Sequence, residues 1–504
     1  MDSLPNSVCR TSRVALRPDW RSWCLDHLLP LAAVVFFLGV AAVFMANLAR
    51  SEWRNCFVRA ALRMQAGEKI HVVESLAYAY PPAMAMLAVP LANLPPRAGM
   101  FGWYLVNVLA TSVAFLSAWR LVGGPSLVRL PLPWQGVFWG GVLLSGRFFV
   151  APLAHQQFDM VIAALLLAGC CRIWRGGDLS GAALIGVSAA MKCTPLLFAP
   201  YLVWRGKPRA AALLVALAVG LNLLPDLLWP QASGDLYLAD WVRTFLGVVA
   251  HEAPGTWHAD LLQNQSLSAL FGRIAQFRWP SSAEDLTALA PAANVALSLR
   301  LAVYGTGLLL LVATTWLSGS PGRPAATVPR QTGEPIPFEH LQTGTEAAAV
   351  LCLMLLLSPM SSKSHYVVMI LPSLLIVRAV VERRSRWPRW LLLPLIVCGP
   401  LSTKGLIGKS LGDLTLIWGL PTWYALTALA GVWLLMAAGK AGRDAAGAQE
   451  APHLRGGAGV GRPAVAGGAA GSRRTALDGE SAGGEASLPA GDDPDACCRI
   501  ESSW

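Results

Sequence analysis

Apolar runs about as long as a bilayer is thick recur along this chain and leave few folds open to it. They lie near residues 28–49, 100–121, 135–152, 157–172, 180–204, 210–228, 299–318, 346–362, 366–382, 388–406 and 419–438. Roughly 20 helical residues cross the hydrocarbon layer of a membrane. Lipid offers backbone amides no hydrogen-bond partner, so runs that cross it are helical. Hydrophobic residues make up 55% of the 504 and charged residues 14%, where a soluble domain carries about 25% charged. The expected fold class is all-α: a polytopic transmembrane helical bundle of about 11–13 spans, with outer-face loops and interfacial helices. Its expected location is the plasma or inner cell membrane, as a multi-pass protein.

Two segments interrupt the pattern. Residues 81–96 are apolar but bracketed by proline pairs and cut by Pro90, which suits a re-entrant or interfacial helix. Residues 180–204 carry Lys192 and Pro195 in their middle and read as two half-spans meeting at the outer side. With the N-terminus inside, 81–96 non-spanning and 180–204 a hairpin, Arg120/Arg129, Arg172/Arg175, Arg205/Lys207/Arg209, Arg323/Arg330 and Arg383/Arg384/Arg386 all fall on the cytoplasmic side, as the positive-inside rule requires. The expected organisation is a cytoplasmic segment 1–27, a membrane domain 28–439 with outer loops 50–80 and 229–298, smaller outer turns near 153–157, 192–195 and 363–365, an outer loop at 406–418, and a Gly/Ala-rich tail 440–504 without fixed structure. The run 28–49 follows Arg10, Arg13, Arg17 and Arg21 and reads as a retained signal anchor.

Several function classes lose support. The net charge of +11 comes from loop Lys and Arg, so no nucleic-acid partner is expected. The ten cysteines contain no C-x-x-C, and no zinc site is expected. No carboxylate cluster suggests a required metal, and no cofactor is expected. Walker, G-x-G-x-x-G, H-E-x-x-H and G-x-S-x-G motifs are missing, so no nucleotide donor is expected from the cytoplasmic face.

Ionisable groups inside or beside membrane spans are costly and therefore mark candidate sites. Glu52 directly follows the first span; in an α-helix it would share a face with Cys56 and Arg59. Taken alone, that segment reads as an interfacial helix anchored by Trp53; the functional reading makes Glu52 a general base at the bilayer surface. Tyr78-Ala79-Tyr80-Pro81-Pro82 is a stiff approach to the membrane. His155-Gln156-Gln157-Phe158-Asp159 is either a solvated turn or a set of sugar contacts. Lys192-Cys193-Thr194-Pro195 puts a lysine inside an apolar run; a lipid phosphate or Asp159 would balance it, and snorkelling is the alternative. Lys363-Ser364-His365-Tyr366 offers anion contact or proton transfer. Trp257-His258-Ala259-Asp260 and Asn264-Gln265-Ser266-Leu267 add hydrogen-bonding and aromatic groups to the long outer loop.

Taken in order, these segments resemble glycosyltransferase family 87, membrane transferases of the GT-C type that include polyprenol-phosphate-mannose-dependent α-mannosyltransferases. The likeness covers roughly residues 45–380. It rests on Glu52-Trp53 with Ala60-Ala61 and Gly67, on Tyr78 to Pro82 with Pro90-Leu91, on Gln156-Gln157-Phe158-Asp159, on Lys192-Cys193-Thr194-Pro195, on Asn264-Gln265-Ser266-Leu267, and on Ser358-Pro359 with His365-Tyr366. The family's usual first-loop acid is Asp where this chain has Glu52, and its Gly-Gln-x-Asn segment is here Gln156-Gln157-Phe158-Asp159. The resemblance implies a hexosyltransferase of the cell envelope, moving a hexose such as mannose from a polyprenyl-phosphate donor to a glycan or glycolipid acceptor at the outer face, with inversion. Under it Glu52 and His365 are catalytic, and Lys192, Arg59 and Lys363 bind the donor phosphate. Tyr80, Gln157, Asp159, Asn264 and Gln265 contact sugar or acceptor. The rival expectation is a non-catalytic transporter of lipid-linked sugars or an assembly partner; a solute transporter would need inverted repeats, which the sequence does not display.

Overall fold

The computed structural model describes residues 20–46, 51–71, 78–127, 130–246, 262–275, 297–322, 335–382 and 387–454. Among them every regular element is helical. The chain divides into Met1–Gln449 and Glu450–Trp504; of the second, residues 450–454 are described, as helix.

The elements are α1 (Trp20–Ala46), a π-helical turn (Trp53–Val58) leading into α2 (Arg59–Gln65), α3 (Pro82–Ala92), α4 (Pro96–Leu121), α5 (Leu132–Ala154), α6 (Asp159–Trp174), α7 (Asp178–Met191), α8 (Phe198–Trp204), α9 (Pro208–Leu228), α10 (Tyr237–Trp241), α11 (Leu267–Ala275), α12 (Leu297–Ser318), α13 (Gln342–Leu357), α14 (Ile370–Val381) after a 3₁₀ segment Lys363–Met369, α15 (Trp387–Cys398), α16 (Lys404–Ile417) and α17 (Leu420–Leu454). Six helical stretches of the described residues are long and apolar enough to cross a membrane, and a bent pair raises this to seven. The remaining apolar helices, such as α7 and α13, are shorter. The sequence-based figure is larger because it counts these shorter helices and α1 as well.

α6 packs between α4 and α7, α7 against α9, and α5 against α14. Small residues permit the closest approaches, as expected where lipid supplies no hydrophobic drive. A Cβ on Gly181 of α7 would lie 2.6 Å from the Gly169 carbonyl oxygen of α6. Away from these seams, Leu109, Leu143, Leu301, Leu308 and Leu309 are more than half exposed and form the surface that lipid covers.

The awkward segments resolve as follows. α3 is an 11-residue helix with Pro at its first turn, where a missing N–H costs nothing. The run 180–204 is broken: Lys192 is extended (φ −157°, ψ 123°) between α7 and the 3₁₀ turn Thr194–Leu197. The expected loop 406–418 is instead helical, as α16, interrupted at Gly408 (φ 83°, ψ 170°), and it leaves the preceding helix at an angle of 99°. The bend falls at Thr403, whose extended backbone (φ −81°, ψ 128°) separates the 3₁₀ turn Pro400–Ser402 from α16. α17 runs on to Leu454, so residues 440–454 of the segment expected to lack fixed structure are helical; their Ala-rich sequence favours helix. Residues 455–504 lie outside the described residues.

Candidate active site

The turn between α5 and α6 sets the geometry of the site. His155 ends α5, and Gln156 follows with φ of 59°, the one positive φ outside glycine among the described residues. A left-handed residue after a helix is ordinarily glycine, because a Cβ is disfavoured there. The resemblance implies a glycine at this position, where this chain carries Gln156. That side chain is fully buried and bonded to Ser51 Oγ, while the Gln156 carbonyl accepts from Trp103 Nε1 at 2.8 Å. These contacts hold the strained conformation. The Glu52 amide donates to the His155 carbonyl at 3.3 Å, so the helical segment that starts at Glu52 is pinned to this turn.

The next residue, Gln157, reaches Glu52 directly. Its Nε2 donates to Glu52 Oε2 at 2.5 Å, and Tyr80 Oη lies 3.5 Å from Glu52 Oε1. Phe57, Tyr80 and Phe158 form an aromatic wall with centroid separations of 4.6–5.2 Å. Burial raises the Glu52 carboxyl to about 7; Gln157 and Lys192 oppose that rise, and the Asp159 charge adds to it.

Asp159 opens α6 and is 3% exposed. Its Oδ1 accepts from Lys192 Nζ at 3.0 Å and lies 3.8 Å from His365 Nε2. Its Oδ2 is buried without a hydrogen-bond partner among the described residues, as is Gln157 Oε1. The break in the helix after α7 delivers Lys192, whose ammonium also sits 6.0 Å from the centres of the Tyr80 and Phe158 rings. The backbone N–H of Ser362 donates to His365 Nδ1 at 3.0 Å. Nδ1 therefore carries its lone pair, and the neutral ring bears its proton on Nε2, facing Asp159. Asp159, Lys192, Thr194, Ser361 and His365 share one recess.

Glu52, Tyr80, Gln157, Asp159, Lys192 and His365 thus meet, although they span more than three hundred residues of sequence. The other candidates lie elsewhere. Arg59 is exposed and makes none of these contacts. The shared face expected of Glu52, Cys56 and Arg59 presumed α-helical register; the π turn Trp53–Val58 rotates less per residue and leaves Cys56 buried and Arg59 outside. Asn264 and Gln265 are fully buried. Asn264 Nδ2 donates to the Pro359 carbonyl at 3.1 Å, and its Oδ1 accepts from the Ser361 amide at 3.3 Å. Gln265 Nε2 donates to the Leu416 carbonyl at 2.9 Å, and its own carbonyl accepts from Tyr366 and Thr422. Both hold the segment 359–366 that carries His365. Lys363 is half-buried on that segment. Residues Trp257 to Asp260 lie outside the described residues. No three His, Cys, Asp or Glu side chains gather as a metal-ligand set among the described residues.

Sequence reasoning passed over Arg147, although a charged residue alone in the apolar run 135–152 is a signal of its own. It also passed over the buried pair Arg205–Glu346, bonded further to Tyr201 and Gln342. That pair ties α8 to α13.

The site thus joins a carboxylate–amide pair, Glu52 and Gln157, to a balanced lysine–aspartate pair within a multi-pass helical bundle. The profile of glycosyltransferase family 87 matches residues 78–329, half of the chain, and the protein belongs to that family. Tyr80, Gln157, Asp159 and Lys192 fall inside the matched segment; Glu52 and His365 fall outside it and join the site through the contacts above. No curated protein matches the chain. Among solved structures it is similar to ArnT from Cupriavidus metallidurans in the apo state, at 14% identity and a TM-score of 0.35, over 84% of this chain and 80% of that one.

Proposed function

We propose that the protein transfers a hexose, mannose in the first instance, from a polyprenyl-phosphate donor to a glycan or glycolipid acceptor at the outer face of the membrane, with inversion. The observation that carries the reading is Glu52: a carboxylate gripped by Gln157 and Tyr80, with its protonation midpoint raised to about 7. A base works best when its pKa lies near the working pH. Glu52 takes the proton of an acceptor hydroxyl as the oxygen attacks the anomeric carbon. The bond from that carbon to the phosphate oxygen breaks, and the phosphate departs with the electron pair. A phosphate leaves without needing a proton, so one carboxylate suffices. The buried acceptors Asp159 Oδ2 and Gln157 Oε1, which lack partners among the described residues, suit sugar hydroxyls. His365 supplies a neutral N–H donor rather than a fixed cation.

The test is sugar transfer from a radiolabelled polyprenyl-phosphate mannose in reconstituted membranes. Glu52→Gln is expected to abolish transfer while the protein still inserts and elutes as the wild type does. Undiminished transfer by that variant sinks the mechanism.

A further inference from the structure

The bond between Glu52 and Gln157 joins two long, flexible side chains. One hydrogen bond between such chains does not fix where a carboxylate points. It does so only if the two backbones that carry them are held at a set separation, and the structure supplies ties between those backbones. The Glu52 amide donates to the His155 carbonyl at 3.3 Å. Ser51, the residue before Glu52, donates through Oγ to Gln156 Oε1, and both residues are buried. The same Oγ accepts from the Arg54 amide at 3.1 Å, so Ser51 couples the turn to the start of the π-helical segment. Contacts thus alternate along the two strands of chain: Ser51 with Gln156, Glu52 with His155, and Glu52 with Gln157.

Trp103 of α4 adds a tie from a third element. Its ring stacks on that of Trp53, with centroids 4.1 Å apart and planes 13° from parallel, and its Nε1 donates to the Gln156 carbonyl at 2.8 Å. One buried indole therefore touches both the residue after Glu52 and the residue before Gln157. None of Ser51, Trp103 and Gln156 lines the recess of Asp159, Lys192 and His365, so their effect on a reaction there runs through Glu52. The turn itself does not need the Gln156 side chain, since glycine reaches a φ of 59° freely. What the side chain adds is the bond to Ser51. A residue other than glycine kept in this strained conformation marks a position where the side chain is used.

We propose that Gln156, through Ser51, and Trp103, through Trp53 and the Gln156 carbonyl, are positioning residues that hold the Glu52 carboxylate against Gln157. The proposal rests on the reading of Glu52 as the base and names what aims it. A base displaced by about an ångström loses much of its effect on the chemical step. The ties therefore act on turnover rather than on the binding of substrate.

The experiment measures transfer from polyprenyl-phosphate mannose across pH by the reconstituted full chain. Gln156→Gly keeps the turn and removes the bond to Ser51. It is expected to lower kcat about tenfold or more, to leave KM within about twofold, and to move the acidic limb upward as the grip of Gln157 loosens. Ser51→Ala should act alike, and Ser51→Ala with Gln156→Gly should be no worse than either alone, because the same bond is lost in each. Trp103→Phe keeps the ring stack, loses the N–H and should also lower kcat. Melting temperatures establish that the variants are folded; a purely structural role would move neither the limb nor the division between kcat and KM. Wild-type kcat and limb in Gln156→Gly and Ser51→Ala overturn the positioning role. Infrared titration of the Glu52 carboxyl, recognised as the band missing from Glu52→Gln, reads the alignment without turnover. Its midpoint should rise in Gln156→Gly, and an unchanged band and midpoint overturn the proposal even if the wild type transfers no sugar. Undiminished transfer by Glu52→Gln instead removes the base, and the infrared result then decides the positioning role by itself.

Discussion

The side-chain amide of Gln157 donates to the carboxylate of Glu52 across 2.5 Å, joining residues 105 apart in sequence. The bond both aims the carboxylate and favours its charged form, against the burial that raises it to about 7. Gln157→Ala should therefore move the acidic limb of the transfer pH profile upward, since a base must be ionised to work. It should also lower kcat about 10- to 100-fold through lost orientation. A pH–rate profile of the purified enzyme checks both effects, and an unshifted limb would separate Gln157 from the base.

The same raised carboxyl has a stability consequence. The folded value near 7 lies above the ordinary 4.5, so the folded state holds the Glu52 proton more tightly than the unfolded state. Its contribution is fully present below about pH 4.5, is lost between there and about pH 7, and leaves a penalty above. Glu52→Gln removes that penalty. Allowing for partial exposure, it should stabilise the protein by about 1–2 kcal/mol at pH 8 and by little at pH 4.5, read as Tm in detergent at the two values.

Gln156 occupies a left-handed conformation at φ 59°. Gln156→Gly should be close to neutral, because relief of backbone strain offsets the lost bond to Ser51. Gln156→Val, β-branched and unable to make that bond, should cost about 1–3 kcal/mol. Thermal melts of the two variants against wild type give the comparison.

Asp159 and Lys192 form a buried pair 3.0 Å apart. Asp159→Asn leaves an unmatched ammonium and should cost about 3–5 kcal/mol; Asp159→Asn with Lys192→Met should recover most of that loss. A double-mutant cycle on melting temperature measures the coupling, and additive losses would mean that the pair contributes no coupling.

α6 and α7 approach through Gly169 and Gly181. Gly181→Ala sets a methyl 2.6 Å from a backbone oxygen, so the helices must part, at about 1–3 kcal/mol. Lower yield of monodisperse protein and a reduced Tm are the expected observations.

Much of this organisation was legible in residue order. Lys192 beside Pro195 announced a broken helix because a charge and an imino acid both resist a continuous apolar span. The Tyr80, Gln157, Asp159 and His365 segments stood out because polar groups are rare beside such runs. α16 was not legible, since a loop 406–418 with Lys409 and Asp413 reads as solvated until Asp413 is seen to pair with Lys404 of the preceding segment. Arg59 was expected on the face of Glu52 from α-helical spacing, and nothing local in its sequence declares the π turn that moves it off that face. Asn264 and Gln265 show a related limit: amides suit a sugar or a backbone equally, and only packing reveals that they hold the Pro359–Ser361 segment.

By itself, the sequence determined that the chain crosses a membrane repeatedly, where its long apolar helices form and where one breaks at Lys192, because hydropathy and backbone satisfaction are properties of contiguous residues. Tertiary structure alone decided that Gln157 grips Glu52, that Asp159 balances Lys192, and that Arg147 holds the Cys398–Ser402 turn. Those relations join residues far apart in the chain, and electrostatic balance at a membrane edge depends on distance in space rather than on order in sequence.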